Sequence, residues 1–315
     1  MTSKSATLIP PGRPVTIGVF DSGFGGLTVL RALLPLISGA HYIYLGDTAR
    51  LPYGSKSRET IARYAVSSAN FLHQQGADLL VIACNTASAL ALEDIRRALP
   101  IPVVGVIEPG ALAASHAIER GPAGLGSDSS IQLRNPGAPG LDSETWVEAP
   151  PISPRHVLVL ATSATVQSHA YAQALESLGL ESCEKACPLL VPLVEEGWTN
   201  HPVTSEVLKI YLSEALAASP SASTLLLGCT HYPLLASAIR RTLTSLHHPL
   251  TIIDSAHATA HATAALVARH FPQPPNPAPP TCTFYATDSI EKFKHLGSSF
   301  LGQPISNVHL IDLGG

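Results

Sequence analysis

The sequence predicts an α/β protein: two similar parallel-sheet α/β domains related by pseudo-twofold symmetry, with the active site in the interdomain cleft. Three observations predict it. Short apolar runs alternate with helix-length segments, as in parallel strands joined by crossover helices. Two motifs then recur at nearly the same offset: residues 17–22 echo 158–163, 141 positions on, and residues 79–86 echo 224–231, 145 positions on. Finally, each motif ends an apolar strand in small or polar residues. Ligands of open parallel sheets bind beyond such strand ends.

The elements follow in order. Residues 15–20 read as a buried strand, Asp21-Ser22-Gly23-Phe24-Gly25-Gly26 as a tight turn and 27–34 as a helix. A strand at 41–45, a helix at 58–75, a strand at 79–83, a helix at 87–99 stopped by Pro100 and a strand at 102–107 complete the first run. Residues 121–152 break the rhythm with Gly and Pro and no apolar period, which reads as an insertion. The rhythm resumes with a strand at 156–161, helices near 168–178 and at 203–218, a strand at 224–227 and a helix at 234–246. A strand at 250–253, a helix at 258–270, a proline-rich connector and strands at 281–286 and 308–311 close the chain. The expected division puts 1–110 plus 252–315 in the first domain and 111–251 in the second.

Composition bounds the function. At 315 residues and 45% hydrophobic content, two ordinary cores can form. A net charge of −4, only 13% charged residues and 5% aromatics argue against direct nucleic-acid binding, which needs clustered Lys and Arg or stacking platforms. Five cysteines without a framework spacing fit reduced thiols in the cytoplasm. Residues 1–14 lack the apolar core of a secretory signal, and no stretch approaches the roughly 20 apolar residues that span a bilayer. No membrane association is expected.

The chemistry points to Cys84 and Cys229. Each follows a buried strand and precedes hydrogen-bonding residues at an expected helix start, where the dipole and free N–H groups favour a thiolate. A single cysteine in that setting is more often packing. Two in matching settings read as thiols facing one substrate. Asp21 and Ser22 place a carboxylate and a hydroxyl at a third strand end, suited to an ammonium and a small polar ligand rather than a pyrophosphate. The glycines after them suit a turn with positive φ. His257 and His261 share a helical face but lack a third ligand, and Cys183 with Cys187 lacks a partner pair, so no metal site is expected. Cys282 reads as packing.

Together these motifs resemble the glutamate racemase family of the cofactor-independent aspartate/glutamate racemase superfamily. The matching stretches run from Ile17 to Leu27, then Gly46-Asp47-Thr48 with Pro52-Tyr53-Gly54, and Ala83-Cys84-Asn85-Thr86-Ala87-Ser88. They continue through Ala161-Thr162-Ser163-Ala164-Thr165, Cys187-Pro188-Leu189, the run from Gly228 to Leu235, and Asp254-Ser255-Ala256. The likeness covers about residues 15–120 and 153–302 and departs at 121–152.

The resemblance implies interconversion of L- and D-glutamate without a cofactor, supplying D-glutamate to peptidoglycan, by an enzyme that is commonly a homodimer. Cys84 and Cys229 would flank Cα as catalytic acid and base. Asp21 would serve Cys84, as its proton manager or as partner of the substrate ammonium. His231 would serve Cys229 with Glu195, chosen over the adjacent Glu196 by motif register. Asp21, Ser22, Pro52, Tyr53, Gly54, Asn85, Thr86, Thr162, Thr230 and His231 would bind the substrate. The alternatives are a racemase of aspartate or a hydantoin, or a glutamate-binding regulator. Thr230-His231 favours glutamate, because aspartate relatives usually carry a Glu after the second Cys-Thr.

Overall fold

The computed structural model describes residues 13–120, 155–271 and 277–314; the insertion expected at 121–152 lies outside them. The first half contains β1 (Thr16–Asp21), α1 (Leu27–Leu33), β2 (His41–Gly46), α2 (Arg58–Gln74), β3 (Leu79–Ile82), α3 (Asn85–Ala98), β4 (Val103–Gly105) and α4 (Ile107–Arg120). The second contains β5 (His156–Ala161), α5 (Ser163–Ser168), α6 (Ala170–Glu176), β6 (Glu181–Ala186), α7 (Leu190–Glu195), α8 (Pro202–Ala218), β7 (Thr224–Gly228), α9 (Ala236–Ser245) and β8 (Thr251–Asp254). The chain then runs through α10 (Ser255–His270), β9 (Thr281–Ala286), α11 (Ile290–Leu301) and β10 (Val308–Leu310).

Among the described residues every strand pairing is parallel. The first sheet has the order β10-β9-β2-β1-β3-β4 and the second β6-β5-β7-β8. The run β2-β1-β3-β4 therefore has the same topology as β6-β5-β7-β8, which is the structural form of the sequence echo. Asp21 ends β1 and Thr162 follows β5; Cys84 follows β3 and Cys229 follows β7. Equivalent strands thus deliver equivalent motifs. β1, β3 and β7 are buried along their whole length, as parallel strands covered on both faces must be.

One core cluster joins the halves. It holds Val19, Phe24, Leu27 and Val81 from the first together with Leu227, Tyr232 and Leu235 from the second. The outer face of the first sheet packs on α2 and α3 through Ile61, Leu72, Leu80 and Ile95. The outer face of the second packs on α4 and α6 through Ala111, Val159, Tyr171 and Leu226. α4 therefore packs with the second half, and the boundary expected between 251 and 252 cuts through β8, which pairs with β7 over its full length.

Several elements differ from the sequence reading. α4, α5, α11 and β6 are additional to it. β6 is ESCEKA, a half-buried edge strand without the apolar run that marks its central neighbours. The helix expected at 168–178 is α6, preceded by the separate short helix α5 across a break at His169 with φ 53°. Among the described residues no helix is long and apolar enough to cross a membrane.

Candidate active site

β1 delivers Asp21 into the interior, where its Oδ2 accepts the Gly23 N–H at 2.8 Å. The glycines that follow have negative φ, so the expectation of a left-handed turn fails. They are required by proximity. A Cβ on Gly25 would lie 2.1 Å from Thr230 Oγ1 and 2.6 Å from His231 Nδ1; one on Gly26 would lie 2.5 Å from the Asp21 Cβ. At Gly25 the two halves meet with no room for a side chain.

Cys84 caps α3. Its Sγ accepts the Ala87 N–H at 3.4 Å and lies 3.5 Å from Ser22 Oγ. Despite this helix N-terminus the thiol is pushed up to about 12, first by burial and then by the Asp21 carboxylate. The expected lowering is outweighed. Asp21 is itself raised by burial, against the opposing pull of His231 and of the Gly23 and Gly26 N–H groups.

Cys229 has different company. A 3₁₀ turn, Tyr232–Leu235, separates it from α9, so it does not cap an α-helix as expected. Its Sγ lies 3.9 Å from His231 Nδ1, and His231 Nε2 lies 3.2 Å from Glu195 Oε1. Phe300 holds the imidazole edge-on at 5.1 Å. Burial works against a proton on His231, but the bonds to Cys229 and Glu195 prevail and hold it at about 10. Burial would also raise Glu195; its hydrogen bond to His231, the His231 charge and Lys292 reverse that and bring it below its usual value.

Both thiols line one cavity of about 650 Å³, along with Ser22, Pro52, Tyr53, Gly54, Asn85, Thr86, Thr162, Glu195, Thr230 and His231. Glu196 lines it too, but the bond to His231 comes from Glu195. Asp21 stands behind the lining, 1% exposed, rather than on it. Tyr53 spends its hydroxyl on Asp47 Oδ2 at 2.5 Å, so it meets a ligand with its ring or backbone and not with the hydroxyl. Thr86 bonds Thr162 at 3.0 Å and Thr165 at 3.3 Å, a hydroxyl cluster that ties α3 to the second half. Asn85 Oδ1 accepts the Tyr171 hydroxyl at 2.6 Å, and Asn85 Nδ2 is buried without a partner among the described residues.

Lys56, Gln167 and Lys292 also line the cavity and are not among the expected site residues. Lys56 follows Pro52-Tyr53-Gly54 closely enough to have been found. Lys292 arrives on α11, far along the chain, with no local signal. A larger groove of about 860 Å³ between α3, α4 and α6 contains neither thiol. His257 lies 3.9 Å from Asp254, and no group of three or more His, Cys, Asp or Glu among the described residues is arranged to hold a metal.

Two thiols at equivalent strand ends of two parallel sheets line one cavity, an arrangement suited to acid–base chemistry on both faces of a carbon. Residues 17–125 and 147–263 match the Asp/Glu/Hydantoin racemase family, and the chain belongs to it. Within that family it is 46% identical to the glutamate racemase of Koribacter versatilis (96% of this chain, 99% of the relative) and 40% identical to that of Aquifex aeolicus (92% and 95%). Among solved structures it resembles the Thermus thermophilus glutamate racemase in complex with β-chloro-D-alanine (36% identity, TM-score 0.75, 96% of this chain and 98% of that one). It also resembles the Francisella tularensis enzyme in complex with D-glutamate (30% identity, TM-score 0.77, the same coverage).

Proposed function

We infer that this chain is a glutamate racemase that interconverts L- and D-glutamate using Cys84 and Cys229 as alternating base and acid. The observation that carries the reading is the pair of thiols on one cavity, each with its own charged helper. One thiolate takes the Cα proton and becomes a thiol. The electron pair left on Cα spreads into the α-carboxylate. The opposite thiol gives its proton to the other face and becomes the thiolate. Protons and charge balance, and the two protonation states of the enzyme exchange on each turnover.

The Cα proton is weakly acidic, so the carboxylate must be stabilised as charge builds on it. Ser22, Asn85, Thr86 and Thr230 line the cavity, and Asn85 Nδ2 is without a partner among the described residues, so these side chains are the donors available to it. One such preorganised donor is worth roughly 3–4 kcal/mol. The protonated His231 lies 3.9 Å from the Cys229 sulfur. Asp21 resists negative charge on Cys84, so Cys84 rests as the proton donor.

The product suits the supply of D-glutamate to peptidoglycan. The same reading puts the enzyme in the cytoplasm, where thiols stay reduced, as a homodimer; sedimentation at working concentration checks the assembly. For the activity, L-glutamate in D₂O is expected to yield D-glutamate deuterated at Cα, with L-aspartate turned over far more slowly. No D-glutamate and no isotope uptake would sink the reading, and preferred turnover of aspartate would move it to the alternative substrate.

A further inference from the structure

Tyr171 belongs to neither half of the thiol machinery, yet it touches both. It sits on α6, fully buried. Its hydroxyl donates to Asn85 Oδ1 at 2.6 Å, one residue after Cys84. Its ring lies against Gly228, one residue before Cys229: a Cβ there would fall 2.9 Å from Tyr171 Cε2. The ring's other edge lies against Gly110 of α4, where a Cβ would fall 3.3 Å from Cε1. Two glycines thus make room for one ring, and that ring bridges the backbone beside one cysteine to the side chain beside the other.

The hydrogen bond has a chemical consequence. A primary amide has an acceptor end and a donor end. With Oδ1 committed to Tyr171, the donor end is what remains for the cavity that Asn85 lines, and Nδ2 is buried without a partner among the described residues. A flipped amide would instead present an oxygen to an anionic carboxylate. We propose that Tyr171 is a positioning residue for the racemisation: it fixes the Asn85 amide with Nδ2 toward the substrate carboxylate and holds that donor in register with Cys229. This inference rests on the racemase reading.

The test is a double-mutant cycle. Tyr171→Phe removes only the hydroxyl and keeps the ring between Gly110 and Gly228. It is expected to fold as the parent does, by circular dichroism and thermal melting, and to lose about 10–100-fold in kcat/KM, the rate equivalent of one freed buried partner. Asn85→Ala is expected to lose at least as much. In the Asn85→Ala background, Tyr171→Phe is expected to change kcat/KM by less than about twofold. A merely structural tyrosine would impose the same penalty in both backgrounds. An equal penalty, or a Tyr171→Phe enzyme as active as the parent, overturns the proposal.

If Tyr171→Phe does not fold, Asn85→Asp reads the same contact from the other side. A carboxylate still accepts from Tyr171 but offers no donor to the cavity, so folding is expected to hold while turnover falls at least tenfold. Parent-like racemisation by Asn85→Asp overturns the assignment. A parent enzyme that does not racemise glutamate would defeat the functional reading itself; a racemising parent with an uncoupled cycle defeats only the role of Tyr171.

Discussion

The two ends of the cavity carry the same nucleus, a sulfur after a buried parallel strand, in opposite electrostatic settings. Cys84 caps an α-helix yet sits beside the buried Asp21 carboxylate, and its proton is held tightly. Cys229 has no α-helix directly behind it but has an imidazole held protonated by its bonds to Cys229 itself and to Glu195. The difference teaches that symmetry of the fold need not be symmetry of the acid–base couple. A duplicated scaffold places the sulfurs, and their neighbours set the charge that each one faces. It also ranks the forces: at Cys84 burial and one carboxylate outweigh a helix N-terminus, whose effect is typically below about 2 kcal/mol.

The comparison can be broken most severely at the sulfurs. Cys84→Ser or Cys229→Ser is expected to lower racemisation by about 10³-fold or more, read as circular dichroism of glutamate over time, because either loss leaves one face of Cα without its acid or base. Normal turnover in either variant would end the two-thiol scheme.

A sharper cut is His231→Asn, expected to cost about 10²-fold in kcat/KM. L- and D-glutamate have equal free energies, so that fall must be the same in both directions. The asymmetry instead enters the Cα deuterium isotope effects. The effect on the enantiomer deprotonated by Cys229 is expected to rise and that on its mirror image to fall. Equal changes would mean that His231 serves both sulfurs alike.

Glu195→Gln keeps an acceptor for His231 but removes its charge, and a loss of about tenfold in kcat is expected. Glu196→Gln, one residue on and without that bond, is expected to stay within about twofold. Reversal of the two would reassign the helper.

The smallest effect is in stability against pH. His231 is held at about 10 in the folded chain against an ordinary 6.5. Its proton therefore stabilises the fold fully below pH 6.5, and that contribution is lost as pH rises through 10. Denaturant midpoints measured from pH 6 to 10 are expected to fall less steeply in His231→Asn than in the parent. Parallel slopes would place the proton elsewhere.

Much of this was legible in the sequence because the site lies at strand ends. An apolar run followed by Cys84-Asn85-Thr86 or Cys229-Thr230-His231 announces its element and its chemistry together, whereas the family's motif register favours Glu195 without separating it from Glu196, which only the bond to His231 does. The rest depends on contacts that no local pattern encodes. β6 lies at a sheet edge and needs no continuous apolar run. The purpose of Gly25 appears only when Thr230 and His231 come to stand against it. The Tyr53 hydroxyl looked available until Asp47 took it. Lys292 and Tyr171 reach the site through packing between distant segments.

The strand order carries a consequence for synthesis. β9 completes the first sheet by covering the outer edge of β2, and 234 residues separate the end of β2 from the start of β9. The second sheet is contiguous from β5 to β8. A ribosome therefore releases everything the later-made sheet needs while the earlier-made sheet still shows an open edge, the kind of surface that recruits stray strands. The half that begins first is the half that finishes last, and the nascent chain must keep β2 from pairing elsewhere until Thr281 emerges.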